Sequence, residues 1–367
     1  MNNNNLYAVV MAGGRGERFW PQSRASRPKQ LLRLIGNLTL IEQTVERLNP
    51  LVKNENILIL TNADYVAPMR SLLNQIPPQN IIGEPFGKDT GPCVAAAAGL
   101  VKSLSGGDEN SVMIMLPSDH IIRDNSALRQ VLGDSAAAVQ SGKIATIGIT
   151  PDYASTGYGY IKCGEKLDIS GETVFRQSLG FKEKPNAENA EHMLAEGNYQ
   201  WNSGMFVWTV KTITDAFLKY APELAEIAEA VSHGNDNGRF IEAMTEQYEK
   251  CDKISIDYAV MEKLPSEDVI VAESTFDWDD FGSWNALRNQ IKPDENNNVV
   301  RGLFEGVNVS DSIIVSDSRH LITAVDVSDL IIVHTDDATL ICQSKSAQRI
   351  KELVGKISQN PALEKFL

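Results

Sequence analysis

The chain has 367 residues, of which 43% are hydrophobic and 22% charged, and its formal net charge is −14. This length and composition predict a large buried core divided over about two domains. The acidic balance argues against nucleic acid and anionic membranes as partners. No apolar run approaches the roughly 18 residues of a membrane span, and no basic leader precedes the first strand, so we expect a cytoplasmic protein.

The four cysteines and five histidines are scattered along the chain. Their spacing forms no C-x-x-C motif, no dense disulfide framework and no H-E-x-x-H motif. The sequence therefore predicts buried thiols and argues against a zinc hydrolase. The cysteines are Cys93, Cys163, Cys251 and Cys342.

The first predicted strand, residues 8–12, is apolar without alternation, as is typical of a strand buried on both faces. It leads directly into a loop with Gly13, Gly14 and Gly16, where backbone N–H groups can approach an anion. Residues 15–33 then carry six cations and one anion, a local net charge of +5. This pattern predicts a phosphate cradle, with a solvated basic loop as the alternative. The cations are Arg15, Arg18, Arg24, Arg27, Lys29 and Arg33.

Two familiar phosphate loops do not fit this segment. The dinucleotide fingerprint G-x-G-x-x-G begins at Gly14 and Gly16 but requires glycine where Phe19 stands. The P-loop pattern G-x-x-x-x-G-K-[ST] has no match here. A hydride-transferring enzyme and an ordinary NTPase are therefore both disfavoured.

Further strands are predicted at residues 56–61, 111–116 and 144–149, and helical segments at 38–48 and 94–104. This alternation is typical of βαβ units, so we predict an α/β fold with a Rossmann-like, mostly parallel sheet. Ligands of such sheets bind beyond the carboxyl ends of the strands. Polar residues that follow the strands are therefore candidate site residues.

Two acidic positions fit a divalent cation at that edge. Asp119 lies in the segment PSDH directly after the third strand, and Asp279 and Asp280 lie in the segment WDDFGSW. Magnesium is typically held by one or two carboxylates together with substrate phosphates. The alternatives are an ordinary salt bridge for Asp119 and a helix cap and turn for the aspartate pair.

Three segments in the middle of the chain interleave aromatic, glycine and polar residues: TGYGYI (156–161), FKEKP (181–185) and WNSGMF (201–206). These groups suit a sugar phosphate. Glu183 and Asn202 can bond hydroxyls, Tyr158 or Trp201 can cover an apolar sugar face, and Lys184 can bind phosphate. The alternatives are surface charges, core aromatics and hairpin glycines.

The polar break DENNN, residues 294–298, precedes short β-branched runs up to residue 341 and an amphipathic stretch from about Ser344. We therefore predict two domains, residues 1–293 and 294–367, the second a small β-rich domain that ends in a helix.

Taken in order, these motifs resemble those of the mannose-1-phosphate guanylyltransferases, or GDP-mannose pyrophosphorylases, within the nucleotide-diphospho-sugar pyrophosphorylases. The resemblance runs from Tyr7 to about Val354. The opening loop matches M-A-G-G-x-G-x-R-x-W-P…P-K-Q, with Phe19 where leucine is usual. The segments LPSDH, TGYGYI, FKEKP, WNSGMF, SIDYAVMEK and WDDFGSW follow in the family's order.

The resemblance implies a nucleotide-diphospho-sugar transferase fold with a small C-terminal left-handed β-helix-like domain, often used in dimer contact, so a homodimer is expected. Larger relatives append a phosphomannose isomerase domain. No residues after Leu367 could supply one, so we expect a monofunctional enzyme.

The resemblance also implies a reaction. GMP would pass from GTP to α-D-mannose 1-phosphate by direct in-line displacement with Mg²⁺, giving GDP-mannose and pyrophosphate. The implied catalytic residues are Arg18, Lys29, Asp119 and Asp280, of which Asp119 and Asp280 would hold the metal. The implied nucleotide-binding residues are Ala12, Gly13, Gly14, Arg15, Gly16, Glu84, Pro85 and Thr90. The implied sugar-phosphate-binding residues are Tyr158, Gly159, Glu183, Lys184, Asn202 and Asp257.

Departures from the family pattern leave alternatives open. The segment KDTG (88–91) stands where the family more often has R-N-T-A, and Asp279 replaces a more usual serine. A pyrophosphorylase of UDP-glucose, dTDP-glucose or GDP-heptose type therefore remains an alternative, as does Asp279 as the metal ligand. A non-catalytic sensor is disfavoured because the charged site residues are all present. A glycosyltransferase is disfavoured because no D-x-D follows a predicted strand.

Overall fold

The structure of the protein, a computed structural model, describes residues 5–316 and 319–367. It divides into two compact units, each built from three chain segments. The first comprises Met1–Gly13, Thr44–Ser118 and Ile122–Trp278, and the second Gly14–Gln43, Asp119–Ile121 and Asp279–Leu367. The domain boundary at residue 293, which the composition suggests, stays a prediction.

The first unit contains a nine-stranded sheet in the order β3-β2-β1-β4-β8-β5-β9-β7-β6. Its strands are β1 Leu6–Ala12, β2 Ile57–Asn62, β3 Ile81–Glu84, β4 Val112–Pro117, β5 Ile144–Ile149, β6 Tyr160–Leu167, β7 Phe175–Lys182, β8 Tyr199–Thr209 and β9 Val269–Glu273.

The helices of the described residues follow in chain order. They are α1 Leu40–Leu48, α2 Val66–Leu72, α3 Thr90–Leu104, α4 Asn125–Ala138, α5 Ala187–Glu196, α6 Val210–Tyr220, α7 Pro222–Asp236, α8 Phe240–Lys250, α9 Ile256–Ala259, α10 Leu287–Gln290 and α11 Ile350–Ser358. In the described part of the chain, none of these helices has the length and apolarity to cross a membrane.

The four predicted strands, β1, β2, β4 and β5, all take part in parallel pairs. Strands β1, β2, β4 and β5 are buried along almost their whole length, as their continuous apolar sequences indicate. Strand β1 pairs in parallel with β2 and β4, so Ala12 and Pro117 end their strands at the same edge. The α/β prediction is confirmed, and β8 adds what the sequence did not indicate, because it runs antiparallel between β4 and β5.

The second unit contains two small sheets in which two parallel strand pairs share one displacement. Leu303 pairs with Leu321 and Ile313 with Ile331, so each of these strands lies beside the one eighteen residues further along the chain. Val299 pairs with Ile313 at a displacement of fourteen residues, and Leu330–His334 pairs antiparallel with Thr339–Gln343. The eighteen-residue displacement equals three six-residue repeats, the pattern of β-helix coils. Non-glycine residues with positive φ recur at the same interval, at Asn308 and Asp326 and at Asp311 and Asp329.

The β-helix expectation is thus confirmed. Its strands are β10 Val299–Arg301, β11 Leu303–Ser310, β12 Ile313–Ser316, β13 Leu321–Ser328, β14 Leu330–His334 and β15 Thr339–Gln343. The predicted terminal helix is α11, which follows a 3-10 turn at Ser344–Arg349.

The cysteines are free thiols. Cys93, Cys163 and Cys251 are buried as predicted, and Cys342 is half-buried.

Candidate active site

The loop that follows β1 carries Arg15 and Arg18, two of the predicted site cations. We call residues 14–20 the signature loop. Gly16 has φ 66°, and a Cβ atom there would lie 2.2 Å from the Lys29 Cβ, so only glycine allows this approach. Within the described residues, the amides of Gly14, Arg15 and Gly16 donate no hydrogen bond. These N–H groups are therefore available to an anion.

Lys29 is a buried, hydrogen-bonded cation of the second unit. The residue is 5% exposed, and its Nζ donates to Asp119 Oδ2 at 2.8 Å and to the Asp280 carbonyl oxygen at 3.0 Å. The ammonium also lies 5.4 Å from the centre of the Phe19 ring and 5.8 Å from that of Phe281. One buried ammonium thus joins the two acidic segments that the sequence analysis singled out.

The Asp119 side chain retains 35% of its exposure. Burial raises the pKa of Asp119, but the charges of Lys29 and His120 lower it more, so the net pKa lies below its ordinary value. The carboxylate is therefore charged at neutral pH and partly open to solvent, as a magnesium ligand requires.

The two neighbouring aspartates differ in their hydrogen bonding. Asp279 Oδ1 accepts the Phe281 amide at 2.7 Å, and its Oδ2 accepts the Asn289 and Gln290 side-chain amides at 3.0 and 3.1 Å. Asp280 Oδ1 accepts the Gly282 amide at 3.1 Å. Asp279 is thus committed to shaping the turn, which favours Asp280 as the ligand.

Asp119 and Asp280 suit Mg²⁺ in the manner of sites completed by substrate phosphates. The described ranges, 5–316 and 319–367, hold no group of three or more His, Cys, Asp or Glu arranged for a metal. Magnesium commonly takes only one or two carboxylates when phosphates supply further ligands. The donor set fits that pattern.

Arg15 and Arg18 are both exposed in the signature loop. Arg18 approaches the Gly282 carbonyl with its Nη1 at 3.5 Å, at the limit of a hydrogen bond. Its guanidinium can therefore turn to an anion at little cost.

The first unit contains five of the residues predicted to bind the nucleotide, Ala12, Gly13, Glu84, Pro85 and Thr90. Ala12 is buried at the end of β1, and a Cβ atom on Gly13 would lie 3.4 Å from Glu84 Oε2. Glu84 is 7% exposed and accepts the Tyr248 hydroxyl at 2.9 Å. Burial raises the pKa of Glu84 to about 7, although the bonds from Tyr248 and Cys93 lower it. The strand end beside Gly13 therefore holds a carboxyl group that titrates near neutral pH.

Pro85 and Thr90 lie between β3 and α3, and both are half-buried. Asp89 caps α3 by accepting the Thr90 amide at 2.8 Å. The Thr90 hydroxyl oxygen accepts the Ile256 amide at 2.9 Å, which fixes the segment next to Asp257. Thr90 therefore has a structural role that the sequence did not suggest.

The buried carboxyl of Glu84 makes stability depend on pH. Its pKa is raised, so the folded state retains the proton to higher pH than the unfolded chain, and stability falls as pH rises from about 4.5 to about 7. We expect the free energy of unfolding of wild type to drop by about 3 kcal/mol relative to Glu84→Gln over that interval. Denaturant unfolding at pH 4.5 and 8 measures this change. Glu249→Gln, exposed on the helix of Tyr248, serves as the control. An equal gap between wild type and Glu84→Gln at both pH values would contradict the expectation.

The residues predicted for the sugar phosphate form a polar group in the first unit. A Cβ atom on Gly159 would lie 2.4 Å from Glu183 Oε2 and 3.4 Å from the Asn202 Cβ, so a side chain at this position would displace the Glu183 carboxylate. Asn202 donates from Nδ2 to Asp257 Oδ1 at 3.0 Å, and its Oδ1 accepts the Thr146 hydroxyl at 3.1 Å. The structure therefore brings Gly159, Glu183, Asn202 and Asp257 together.

The charged side chains of this group shift one another's pKa values. Burial and the charge of Glu183 raise the pKa of Asp257 to about 6, with Lys184 and Asn202 opposing the shift. Lys184, at φ 43°, donates to the Glu183 carboxylate. Burial lowers the pKa of Lys184, but Glu183 and Asp257 outweigh it and leave the pKa raised. The lysine is thus a firmly charged group beside two carboxyls.

Tyr158 lies in a cluster of aromatic rings. Its ring centre is 5.0 Å from that of Trp201 and 5.2 Å from that of Trp278, both edge-on. The ring of Tyr153 also meets Trp201 edge-on at 4.9 Å. Tyr158 is only half-buried, so its ring can cover an apolar sugar face.

Sequence reasoning missed several residues that hold the predicted ones. Tyr248 and Thr146 lie 164 and 56 residues from the partners they bond, and no local pattern marks them. Phe281 and Trp278 did carry a signal, since they are aromatics inside the WDDFGSW segment already singled out.

Comparison with known proteins decides the family. The nucleotidyl transferase family profile matches residues 7–297, and that of the MannoseP isomerase/GMP-like beta-helix domain matches residues 305–357. Mannose-1-phosphate guanylyltransferase of Klebsiella pneumoniae is 37% identical over 98% of this chain and 75% of its own. That of Escherichia coli K12 is 37% identical over 97% of this chain and 74% of its own. The chain belongs to the mannose-1-phosphate guanylyltransferase family.

The fold of this family member agrees with a solved structure. A crystal structure described as mannose-1-phosphate geranyltransferase from Thermus thermophilus superposes with a TM-score of 0.85 at 34% identity. The match covers 96% of this chain and 99% of the other. As a member of this family the protein is a nucleotidyltransferase, as the resemblance implied.

Proposed function

We propose that the protein transfers GMP from GTP to α-D-mannose 1-phosphate and releases GDP-mannose and pyrophosphate. The observation that carries the proposal is the bonding of Lys29 to both Asp119 and Asp280. A buried cation that holds two acidic segments next to an anion-accepting loop is suited to phosphoryl chemistry. The relatives' activity, named above, gives the substrates.

The proposed displacement needs no side-chain nucleophile. A phosphate oxygen of mannose 1-phosphate forms a bond to the α-phosphorus of GTP while the bond from that phosphorus to the bridging β-phosphate oxygen breaks. The attacking oxygen is already deprotonated at neutral pH, and the electron pair leaves with pyrophosphate. Positioning and charge neutralisation therefore account for the catalysis.

In the second unit, Gly14, Arg15 and Gly16 would bind the triphosphate, and Arg18 and Lys29 would neutralise the α-phosphate and the leaving pyrophosphate. Asp119 and Asp280 would hold Mg²⁺, which supplies charge neutralisation on the phosphates. Two observations support these roles. The amides at the start of the loop donate no hydrogen bond among the described residues, and Asp119 is charged and partly exposed.

In the first unit, we propose that the nucleotide contacts Ala12, Gly13, Glu84, Pro85 and Thr90. Glu84 is the candidate for reading the base, because its buried carboxyl can accept hydrogen bonds from a base edge. The other members of this set supply the strand end and helix start around it.

For the sugar phosphate, we propose that Asn202, Glu183 and Asp257 bond hydroxyl groups and that Tyr158 covers a ring face. Gly159 would allow close approach of the substrate, and Lys184 would bind the phosphate as a point charge. The hydrogen-bonded arrangement around Asn202 supports these roles, since it fixes the amide before substrate arrives.

A substrate panel tests the proposal. Pyrophosphate release is measured with GTP, ATP, UTP and dTTP against mannose, glucose and N-acetylglucosamine 1-phosphates, with Mg²⁺. We expect the highest kcat/KM for GTP with mannose 1-phosphate. A UTP–glucose or dTTP–glucose optimum, or an optimum with a heptose phosphate added to the panel, would identify the alternative pyrophosphorylases. If pyrophosphate release stays at background for every pair of substrates, the protein is not an enzyme of this class and the sensor alternative is favoured.

We also propose that the protein is a homodimer in the cytoplasm, as the family resemblance implies. Sedimentation equilibrium tests the first statement, with twice the 40.3 kDa chain mass as the expected result. A mass of one chain at micromolar concentration would contradict it.

A further inference from the structure

Trp20, which ends the signature loop, is fastened to the C-terminal part of the chain. Its ring is nearly buried, at 8% exposure, and its Nε1 donates to the Phe366 carbonyl oxygen at 2.8 Å. Its own carbonyl oxygen accepts the Trp284 Nε1 at 3.3 Å. The loop is therefore held at this end by a residue that no substrate role explains.

Two charged contacts join the same parts of the second unit. The Arg24 guanidinium pairs with Asp337 at 2.6 Å and lies 5.6 Å from the Trp20 ring centre. The Lys351 ammonium lies 3.9 Å from Glu17 Oε2, a weaker and more exposed pair. Both contacts connect residues near the loop to residues beyond position 330.

Apolar packing between these parts is incomplete. Trp20 shares a hydrophobic cluster with Ile350 and Ile357 of α11, and Val354 and Leu367 pack against it. A cavity of about 210 Å³ nevertheless lies between the loop and α11, with Arg15 among its lining residues. Because a gap transmits no packing force, the few polar contacts matter more here.

Other contacts hold the middle of the loop. The buried Phe19 ring stacks on Phe281 with ring centres 5.3 Å apart, and the Ser23 hydroxyl donates to the Gly16 carbonyl at 2.8 Å. The first amides of the loop donate no hydrogen bond among the described residues, and its internal bonds begin at Phe19, whose amide donates to the Gly16 carbonyl at 2.9 Å. The position of the anion-binding amides therefore depends in part on what fixes the far end of the loop.

We propose that Trp20 is a positioning residue: it ties the signature loop to residues 351–367 and so holds Arg18 and the loop amides in the arrangement that binds the nucleotide. This inference rests on the proposed function of the loop. When the tie is lost, the loop populates its binding arrangement for a smaller fraction of the time. The apparent affinity for the nucleotide then falls by that fraction.

The test compares two substitutions that each remove one indole N–H. Trp20→Phe removes one that is hydrogen-bonded, whereas Trp208→Phe removes one that has no partner within residues 5–316 and 319–367. Trp208 is fully buried in strand β8, so its variant controls for the smaller ring.

Losing one ordinary hydrogen bond should shift the equilibrium between the bound and open arrangements of the loop about fivefold toward the open one. For Trp20→Phe we therefore expect a raised KM for GTP and faster tryptic cleavage after Arg15 or Arg18, and the two factors should multiply to about five. The KM for mannose 1-phosphate should stay within about twofold. Trp208→Phe should change neither quantity.

Asp337→Asn provides a second variant should Trp20→Phe fail to fold, because it breaks the exposed end of the Arg24 pair without altering the core. It should show the same pattern, a raised KM for GTP and faster loop cleavage. If Trp20→Phe and Asp337→Asn both match Trp208→Phe in cleavage rate and KM, the inference is overturned.

The cleavage readout separates this inference from the proposed function. Faster loop cleavage in Trp20→Phe, in a protein whose wild type releases no pyrophosphate from any pair, would leave the positioning role standing while removing the enzymatic one. An active enzyme in which Trp20→Phe changes neither cleavage nor the KM for GTP would do the reverse.

Discussion

Replacing Asp119 by Asn should lower kcat for pyrophosphate release by about a hundredfold to a thousandfold, the range seen when a preorganised charge-stabilising group is lost. The substitution keeps the size of the side chain and leaves an oxygen that can still accept from Lys29, so the fold should persist. The substitution removes the negative charge of Asp119. In the wild type this carboxyl is ionised at neutral pH, because Lys29 opposes the effect of burial on its pKa. The measurement is kcat as a function of Mg²⁺ concentration, with circular dichroism as the check on folding. Wild-type turnover with unchanged Mg²⁺ dependence would refute the role of Asp119.

The neighbouring aspartates provide a matched pair for the same experiment. Asp280→Asn should raise the Mg²⁺ concentration for half-maximal activity about tenfold or more. Asp279→Asn should leave that concentration within about twofold and instead lower the thermal midpoint, because Asp279 accepts the Phe281 amide and the side-chain amides of Asn289 and Gln290 in α10. The opposite pattern would reassign the metal ligand to Asp279.

Gly16→Ala should be the most damaging single-methyl change in the signature loop. The new Cβ would lie 2.2 Å from the Lys29 Cβ and 2.9 Å from the Lys29 amide nitrogen, at a φ of +66°. The left-handed conformation costs about 1 kcal/mol and the overlap about 1–3 kcal/mol more. Because the strain falls on Lys29, we expect a thermal midpoint lower by about 5 °C and a reduced kcat/KM for GTP. Differential scanning calorimetry and the pyrophosphate assay measure the two effects.

Gly14→Ala is the control for that experiment. No heavy atom lies within 4 Å of a Cβ at this position, and its φ is not in the left-handed region. Its thermal midpoint should shift by no more than about 1–2 °C. Equal midpoints for the two alanine variants would show that the close approach of Gly16 to Lys29 is not maintained in solution.

The parts of the fold that sequence could predict are those whose cause is local. Strand β5 spans residues 144–149 as predicted, because a strand buried on both faces appears as one uninterrupted apolar run. The antiparallel course of β8 could not be predicted in the same way. Its direction is set by pairing with β4 and β5, and no feature of residues 199–209 encodes it.

The same distinction between local and long-range causes applies to the candidate site. Chain order placed Asp119 directly after a strand, and the structure bonds it to Lys29, ninety residues away. The sequence could not choose between Asp279 and Asp280, since both are acids in one turn and only the hydrogen bonds distinguish them. Tyr248 was equally beyond reach, because its bond to the buried Glu84 joins segments with no shared motif.

The eighteen-residue displacement of the β-helix strands defines the length by which this domain can grow or shrink without disrupting its core. Ile313 and Ile331 occupy equivalent inward positions in successive coils, and Asn308 and Asp326 occupy equivalent corners. An insertion or deletion of one whole coil would preserve every inward face and every corner. An insertion of a few residues within a strand would turn apolar positions outward along that coil. Length differences among homologues in this region should therefore fall in whole coils or at the polar corners, and a designer could lengthen the domain by copying one coil.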